Sequence, residues 1–444
     1  MKINANMKPD NGSDYSLEKN SSYDYNLEGI RGLAALSVAS SHVLFMKNFL
    51  DPTYHPNIYF GYLQAAHSAV LLFFVLSGYF IGLTTTKEFS IQQVHNYILR
   101  RAIRILPIYF IAICFGVLAE PNEKFNIVLG NLFLGQNFDK YFSFSLHPIA
   151  GDAALWSLNY EIIYYLVFIL VWWLRPKILD LFLGAFLISI IGWFLPSFPQ
   201  FISGYASGWI FWLSGLLLSS LKVQPSSQKG AFLPLISYIL LFHATNHFLT
   251  GKAILNALIF VNPVPSFVNF SDLTILPICI LIICEITRRY FYGFIYLRLL
   301  CFLIPIFHLS WIIWKGHIFP DPQLVVASLF TILAILLVKY DIPANSLKKM
   351  TFMGRISYAF YLLHMPIAIL MNKYFPWQGT VLSFWLGLLI WLVITILLSS
   401  FFELFIQPRI KYYLSTFLLL EMIDRRTMAF DTASIQLEEG GKSH

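Results

Sequence analysis

The sequence predicts an all-α, polytopic transmembrane helical bundle of about 10–12 spans, and three observations carry that prediction. Hydrophobic residues make up 57% of the 444 residues and charged residues only 12%, whereas soluble domains carry about 25% charged residues. So few charges cannot coat a soluble surface of this size, and the deficit is resolved if lipid is the solvent. Apolar runs of about 17–25 residues, the length that crosses a bilayer, recur along the chain. Aromatic residues are also abundant, with 42 Phe, 24 Tyr and 11 Trp, as expected where Tyr and Trp anchor helix ends at the interface.

Twelve runs qualify: 27–48, 66–84, 101–119, 155–174, 178–195, 206–221, 231–249, 272–287, 298–314, 323–339, 355–372 and 380–405. Those at 206–221, 272–287 and 298–314 are short enough to be tilted, re-entrant or merged, hence the range in the count. With a cytoplasmic N-terminus, the inner segments hold 23 of the 30 Lys and Arg residues and the outer loops 6, with Arg31 inside the first span. This asymmetry follows the positive-inside rule. It predicts that both termini are cytoplasmic, and it accounts for the formal net charge of +7 without a nucleic-acid partner.

The chain accordingly divides into a polar cytoplasmic segment (1–26), a transmembrane domain (27–405) and a cytoplasmic tail (406–444). The first 24 residues contain no apolar core of a cleavable signal, so the first span is expected to act as the insertion signal. The largest outer loop, 120–154, contains a second apolar run, Ile127 to Leu134, expected at the interface. In the tail, Tyr412 to Met422 is apolar enough to lie along the inner leaflet, and Leu437 to His444 is expected to be disordered. The four cysteines (Cys114, Cys279, Cys284, Cys301) lie in or beside apolar stretches. They show neither metal-ligand spacing nor a disulfide pattern, and they read as packing residues. No metal is expected.

Ionisable groups within spans are costly and are functional candidates for that reason. In the first span Arg31 and His42 are eleven residues apart, about three helical turns, so they share one face about 16 Å apart along the axis. Small residues around them, Gly32 among them, permit close helix packing. Ser77-Gly78 in the second span reads as a packing notch. Arg101 and Arg104 open the third span one turn apart. Their ordinary reading is positive-inside topology, and their functional reading is a phosphate clamp, because guanidinium forks match phosphate oxygens. Glu161 lies about 9 Å inside the fourth span. His42, Glu161 and His364, from distant parts of the chain, fall at similar depths, which favours one shared site over three separate packing groups.

Five blocks, Leu27–Gly32 with His42, Phe73–Tyr79, Arg101–Pro107, Trp156–Glu161 and Ser357–His364, resemble in type and order those of the acyltransferase-3 family of membrane acyltransferases. The first and last two are the specific ones. Glu28 stands where the family often has Asp, and the span count is one or two above the family's usual ten. The resemblance implies a bacterial cytoplasmic (inner) membrane protein. It implies acyl transfer, often of acetyl, from cytoplasmic acyl-CoA to a hydroxyl of a carbohydrate or glycolipid at the outer face.

On that reading Arg31, Arg101 and Arg104 bind the CoA phosphates, and the pantetheine arm runs outward along the face shared by Arg31 and His42. His42 removes the acceptor proton, a task suited to an imidazole with an unperturbed pKa of about 6.5. Glu161 orients His42 or holds the sugar. Trp156, Asn159, Tyr358, His364 and Asp152 are expected around the acceptor. Glu28 is expected to pair with a basic residue, and Gly32, Ser77 and Gly78 to be structural. Acyl-CoA is a donor substrate, so no permanently bound cofactor is expected. A different class of function, a transporter or flippase for a polar or lipid-linked substrate, suits buried His, Glu and Arg too. It is distinguished by needing no acyl-CoA.

Overall fold

In a computed structural model the chain is described over residues 25–46, 49–56, 64–137, 146–195, 197–223, 232–248, 251, 267–316, 322–340, 342–414 and 416. The polar N-terminal segment up to Asp24, the outer-loop residues Lys47, Lys140 and Lys252, and the tail from Phe417 onward lie outside the described residues.

Every one of the twelve apolar runs contains a helix. In chain order the helices are α1 (Tyr25–Phe45), α2 (Ala66–Thr84), α3 (Ile91–Ala119), α4 (Phe125–Leu132), α5 (Trp156–Leu174), α6 (Ile178–Phe194) and α7 (Gln200–Ser220). They continue with α8 (Leu235–Phe248), α9 (Leu276–Thr287), α10 (Phe294–Lys315), α11 (Pro322–Leu337), α12 (Thr351–Arg355), α13 (Ser357–Tyr374) and α14 (Val381–Ser400). Seven among the described residues are long and apolar enough to cross a membrane: α2, α3, α5 with its leading turn, α7, α9 with its leading turn, α10 and α14 with its extension. The bent pair Ser346–Arg355 and Ser357–Tyr374, at 63°, brings the number to eight. The three runs that looked short are therefore full length. Helix α7 begins six residues earlier than its run, α9 gains a 3-10 turn at Phe270–Ile275 capped by Asn269 and Asp272, and α10 spans 22 residues.

The remaining helices fall below that threshold for identifiable reasons. Helix α1 carries Glu28 and Arg31, and α6, α8 and α11 have 17, 14 and 16 residues. The loop run beginning at Ile127 forms the short helix α4, which buries Ile127 and Asn131. The strand content described is a two-residue antiparallel pairing, Phe232–Leu233 with Ile342–Pro343, so the all-α class stands. Many large apolar side chains on α10 and α14 are exposed, among them Leu303, Phe307, Leu389 and Leu397. On membrane-spanning helices such faces meet lipid, and the tightly buried residues gather around α1, α2, α7 and α13.

Two backbone contacts fix that centre. A Cβ at Gly78 would lie 1.9 Å from the Trp212 carbonyl oxygen, and one at Gly215 would lie 1.8 Å from that of Val75. Helices α2 and α7 thus touch backbone to backbone, as small residues allow in membranes. Likewise α1 rests on α12, where a Cβ at Gly354 would fall 1.9 Å from the Glu28 carbonyl and one at Gly32 would fall 2.8 Å from the Gly354 nitrogen. These contacts hold the arginine end of α1 against the start of α13.

Candidate active site

A narrow polar chamber of about 90 Å³ lies between α1, α2, α3, α5 and α13. Arg31, Arg101 and Arg104 line it, together with Ser77, Glu161, Tyr165, Ser157 and Tyr361. Arg31 is paired with Glu28 at 2.9 Å and lies 5.7 Å from the Phe80 ring centre. Arg101 donates to Thr84 Oγ1 at 3.1 Å and lies over Tyr97 and Tyr165, and its buried Nε has no partner among the described residues. Arg104 is exposed. Ser357 Oγ, also in the wall, is buried without a partner among the described residues. The arginine end therefore offers buried donors that the protein itself leaves unanswered, the pattern of an anion site.

Farther along, Glu161 Oε1 accepts from Ser77 Oγ at 2.9 Å and from the Tyr165 hydroxyl. Ser157 Oγ and the Tyr361 hydroxyl are 2.7 Å apart. Tyr361 lies edge-on to Phe73 and 5.9 Å, ring centre to ring centre, from His364. The chamber thus leads from three cations to the ring beside the histidines.

His42 and His364 are in direct contact. Their rings lie 10° from parallel with centres 5.1 Å apart, and His42 Nδ1 is 2.8 Å from His364 Nε2. His364 is fully buried, and its Nδ1 is 2.5 Å from the Tyr361 carbonyl oxygen. A carbonyl oxygen only accepts, so His364 Nδ1 carries the hydrogen. In the neutral ring Nε2 is then the bare nitrogen, so His42 Nδ1 must donate to it. One tautomer follows for His42: hydrogen on Nδ1, lone pair on Nε2. The order Tyr361 carbonyl, His364, His42 does what a carboxylate–histidine pair does elsewhere, fixing the tautomer of a basic imidazole.

Several expectations require correction. Glu161 does not orient His42; among the described residues the His42 ring is bonded to His364, and Glu161 is held by Ser77 and Tyr165 inside the arginine chamber. His364 is fully buried, and its Nε2 faces His42 Nδ1. Asn159 is buried with its amide consumed, donating to the Leu134 carbonyl at 2.6 Å and accepting from the Tyr205 hydroxyl. Asp152 is fully buried as the cap of the turn at Ala153–Leu155, accepting from Ala154 N at 3.2 Å. Burial pushes its carboxyl well above the usual carboxylate range. Trp156 stacks on Phe267 at 4.8 Å and does not line the chamber. Of the five residues expected around the acceptor, Tyr358 alone lines the polar chamber, and its hydroxyl donates to the Ile105 carbonyl at 3.0 Å. Gly32, Gly78 and Glu28 lie at the packing and ion-pair contacts described above, whereas Ser77 lines the chamber.

The residues that sequence reasoning passed over are Ser157, Tyr165, Ser357 and Tyr361. Helical spacing would have found them: Ser157, Glu161 and Tyr165 recur every four residues, as do Ser357 and Tyr361, so each set shares a face.

The acyltransferase-3 family model, described as an acyltransferase domain, matches residues 24–404. The chain belongs to the acyltransferase-3 family. The match covers α1 through α14 and so includes both the arginine chamber and the histidine pair. No curated relative and no solved structure matches the chain. As an acyltransferase-3 protein with multiple apolar helices, it is a multi-pass membrane acyltransferase.

Proposed function

We propose that this protein transfers an acyl group, acetyl in the simplest case, from cytoplasmic acyl-CoA to a hydroxyl of a cell-surface or exported carbohydrate in a bacterial inner membrane. The observation that carries the proposal is the bonded histidine pair beside Tyr361, which lines the chamber together with three arginines. On this reading Arg31, Arg101 and Arg104 bind the phosphates, and the partnerless Arg101 Nε and Ser357 Oγ are satisfied when the donor is in place. The pantetheine arm follows the chamber past Ser77 and Glu161 toward Tyr361. At 90 Å³ the chamber suits a thin chain, and it must widen as the donor threads it.

At the outer end His42 Nε2 takes the proton of the acceptor hydroxyl as the oxygen attacks the thioester carbonyl. The carbon–sulfur bond breaks and the thiolate leaves. His42, now carrying both ring protons, returns one to the sulfur. While charged, the His42 ring keeps its Nδ1–H bond to His364 Nε2, which supplies the stabilisation of a bond to an ion, about 1.5–3 kcal/mol.

Family membership supports a transferase over the transporter alternative, because a transporter has no need of an activated acyl donor. The test is acyl transfer from labelled acetyl-CoA in membranes containing the native glycan, comparing the intact protein with His42→Ala at matched expression. Glycan labelling that disappears in the variant is the expected result. Undiminished labelling would remove His42 as the base, and no labelling by either protein across several acyl-CoAs would overturn the reading.

A further inference from the structure

Acyl transfer needs more than a base. As the acceptor oxygen bonds to the thioester carbon, an electron pair moves onto the carbonyl oxygen, and a donor aimed at that oxygen is a large source of rate. Neither imidazole supplies one on the reading above. His42 Nε2 takes the acceptor proton, its Nδ1–H is given to His364, and the His364 Nδ1–H is given to the Tyr361 carbonyl. The donor has to come from the chamber wall beside the histidines.

Tyr361 is the residue common to both. Its backbone carbonyl holds the hydrogen of His364, its ring centre lies 5.9 Å from that of His364, and its side chain lines the chamber. Its hydroxyl stands in a triangle, 2.7 Å from Ser157 Oγ and 3.1 Å from the Ala154 carbonyl oxygen, from which Ser157 Oγ is itself 3.3 Å away. The triangle holds two hydroxyl hydrogens and one carbonyl. One hydrogen suffices for the carbonyl, so Ser157 can serve it while the Tyr361 hydrogen turns elsewhere, with the loss of one neutral hydrogen bond. The other hydroxyls of the wall are placed differently. Ser77 and Tyr165 are bonded to Glu161, and Tyr358 donates to the Ile105 carbonyl. Ser357 precedes Tyr361 by about one turn on α13 and so lies farther from His364 along the helix.

We propose that the Tyr361 hydroxyl is a catalytic donor to the thioester carbonyl oxygen, released for that role by Ser157, which takes over the Ala154 carbonyl. The assignment rests on the acyl-transfer reading above. During attack the new carbon–oxygen bond forms and the carbonyl π pair moves onto oxygen. The Tyr361 O–H bonds to that oxyanion and keeps its proton. On collapse the carbonyl re-forms, the carbon–sulfur bond breaks, and the thiolate takes the proton held by His42. Tyr361 then returns to the triangle.

The test is steady-state acetyl transfer by the full-length protein, with binding measured by calorimetry on the same preparations. Tyr361→Phe keeps the ring and the backbone carbonyl and leaves Ser157 bonded to Ala154. It is expected to lower kcat about 100- to 1,000-fold, the worth of one oxyanion donor, with KM for acetyl-CoA within about threefold. In Ser157→Ala the lone Tyr361 hydrogen has two acceptors to serve, and kcat is expected to fall only about 2- to 12-fold, one neutral hydrogen bond. S-ethyl-CoA, which has no carbonyl, is expected to bind the parent and Tyr361→Phe within about threefold of each other. The trifluoroacetonyl thioether of CoA, whose hydrated ketone is tetrahedral, is expected to bind Tyr361→Phe at least about tenfold more weakly than the parent. A Tyr361→Phe protein that binds S-ethyl-CoA normally and keeps kcat within about threefold overturns the assignment. So does one that has lost S-ethyl-CoA binding, which would show a structural role. A Ser157→Ala loss as large as the Tyr361→Phe loss would put the chemistry on Ser157 and overturns it too. No transfer by the parent across several acyl-CoAs defeats the acyl-transfer reading itself, so the two failures are distinguishable.

Discussion

Replacing His364 separates the tautomer argument from simple packing. In His364→Phe the ring volume is largely kept, but the acceptor 2.8 Å from His42 Nδ1 is lost. His42 is then free to place its hydrogen on either nitrogen, and its charged form loses a hydrogen bond. A bond to a charged group is worth about 1.5–3 kcal/mol, which at 1.36 kcal/mol per factor of ten predicts a fall in kcat of roughly 10- to 160-fold. KM for acetyl-CoA should stay within about threefold, since His364 does not line the arginine chamber. His364→Gln puts an amide oxygen near the position of the former Nε2 and is expected to recover most of the loss, which a purely structural role would not allow. The assay is steady-state acetyl transfer with detergent-purified protein, after size-exclusion chromatography has shown each variant to be monodisperse. A His364→Phe protein that folds and retains kcat within threefold of the parent would refute the relay, and so would a Gln variant no better than Phe.

Three further outcomes are expected. Arg101→Ala should raise KM for acetyl-CoA by roughly 10- to 100-fold, the worth of a charge-assisted contact, with kcat changed far less; an unchanged KM in a titration over donor concentration would remove Arg101 from the donor site. Gly78→Ala places a methyl group 1.9 Å from the Trp212 carbonyl and should cost about 1–3 kcal/mol by overpacking, read as a lower unfolding temperature in a thermal-shift series against Gly184→Ala, where a Cβ meets nothing within 4 Å. Because burial raises the Asp152 carboxyl, its contribution to stability is full below the unfolded pKa of about 3.9 and falls as pH rises toward the folded value. Asp152→Asn keeps a capping oxygen for Ala154 N and should be at least as stable as the parent at pH 8, whereas Asp152→Ala should lose about 1 kcal/mol; an Asn variant markedly less stable at pH 8 would contradict this.

The fold was legible because its determinants are local. A run of twenty apolar residues makes a helix wherever lipid is the solvent, since every backbone polar group must be satisfied within the segment. Helix ends were less legible where polar residues continue a helix into water, as at Ile91–Arg100, where Ser90 caps α3 eleven residues before its apolar run begins. The site was legible in part. Arg31, Arg101, Arg104 and Glu161 do line one chamber, because spacing along a helix fixes which residues share a face. What spacing cannot supply is the partner on another helix. Asn159 is spent on Leu134 and Tyr205, 25 and 46 residues away, and His42 meets His364 across 322 residues.

The long-range contact also changes what Glu161 is for. A carboxylate at the depth of a histidine invites the familiar carboxylate–histidine pairing, but the buried neighbour of His42 is another imidazole. A second imidazole whose far nitrogen is tied to a backbone carbonyl sets the tautomer as firmly as a carboxylate does, because the hydrogen on Nδ1 has nowhere else to go. It does so without placing a permanent negative charge beside the point where, on the proposed reading, a thiolate leaves and a hydroxyl oxygen attacks. Glu161 instead lines the chamber that the three arginines also line, held there by Ser77 and Tyr165. On the proposed reading, donor phosphates arriving there would meet cations already placed. On that reading the carboxylate sits with the donor-binding cations, and the neutral relay lies beyond Tyr361 at the reacting atoms.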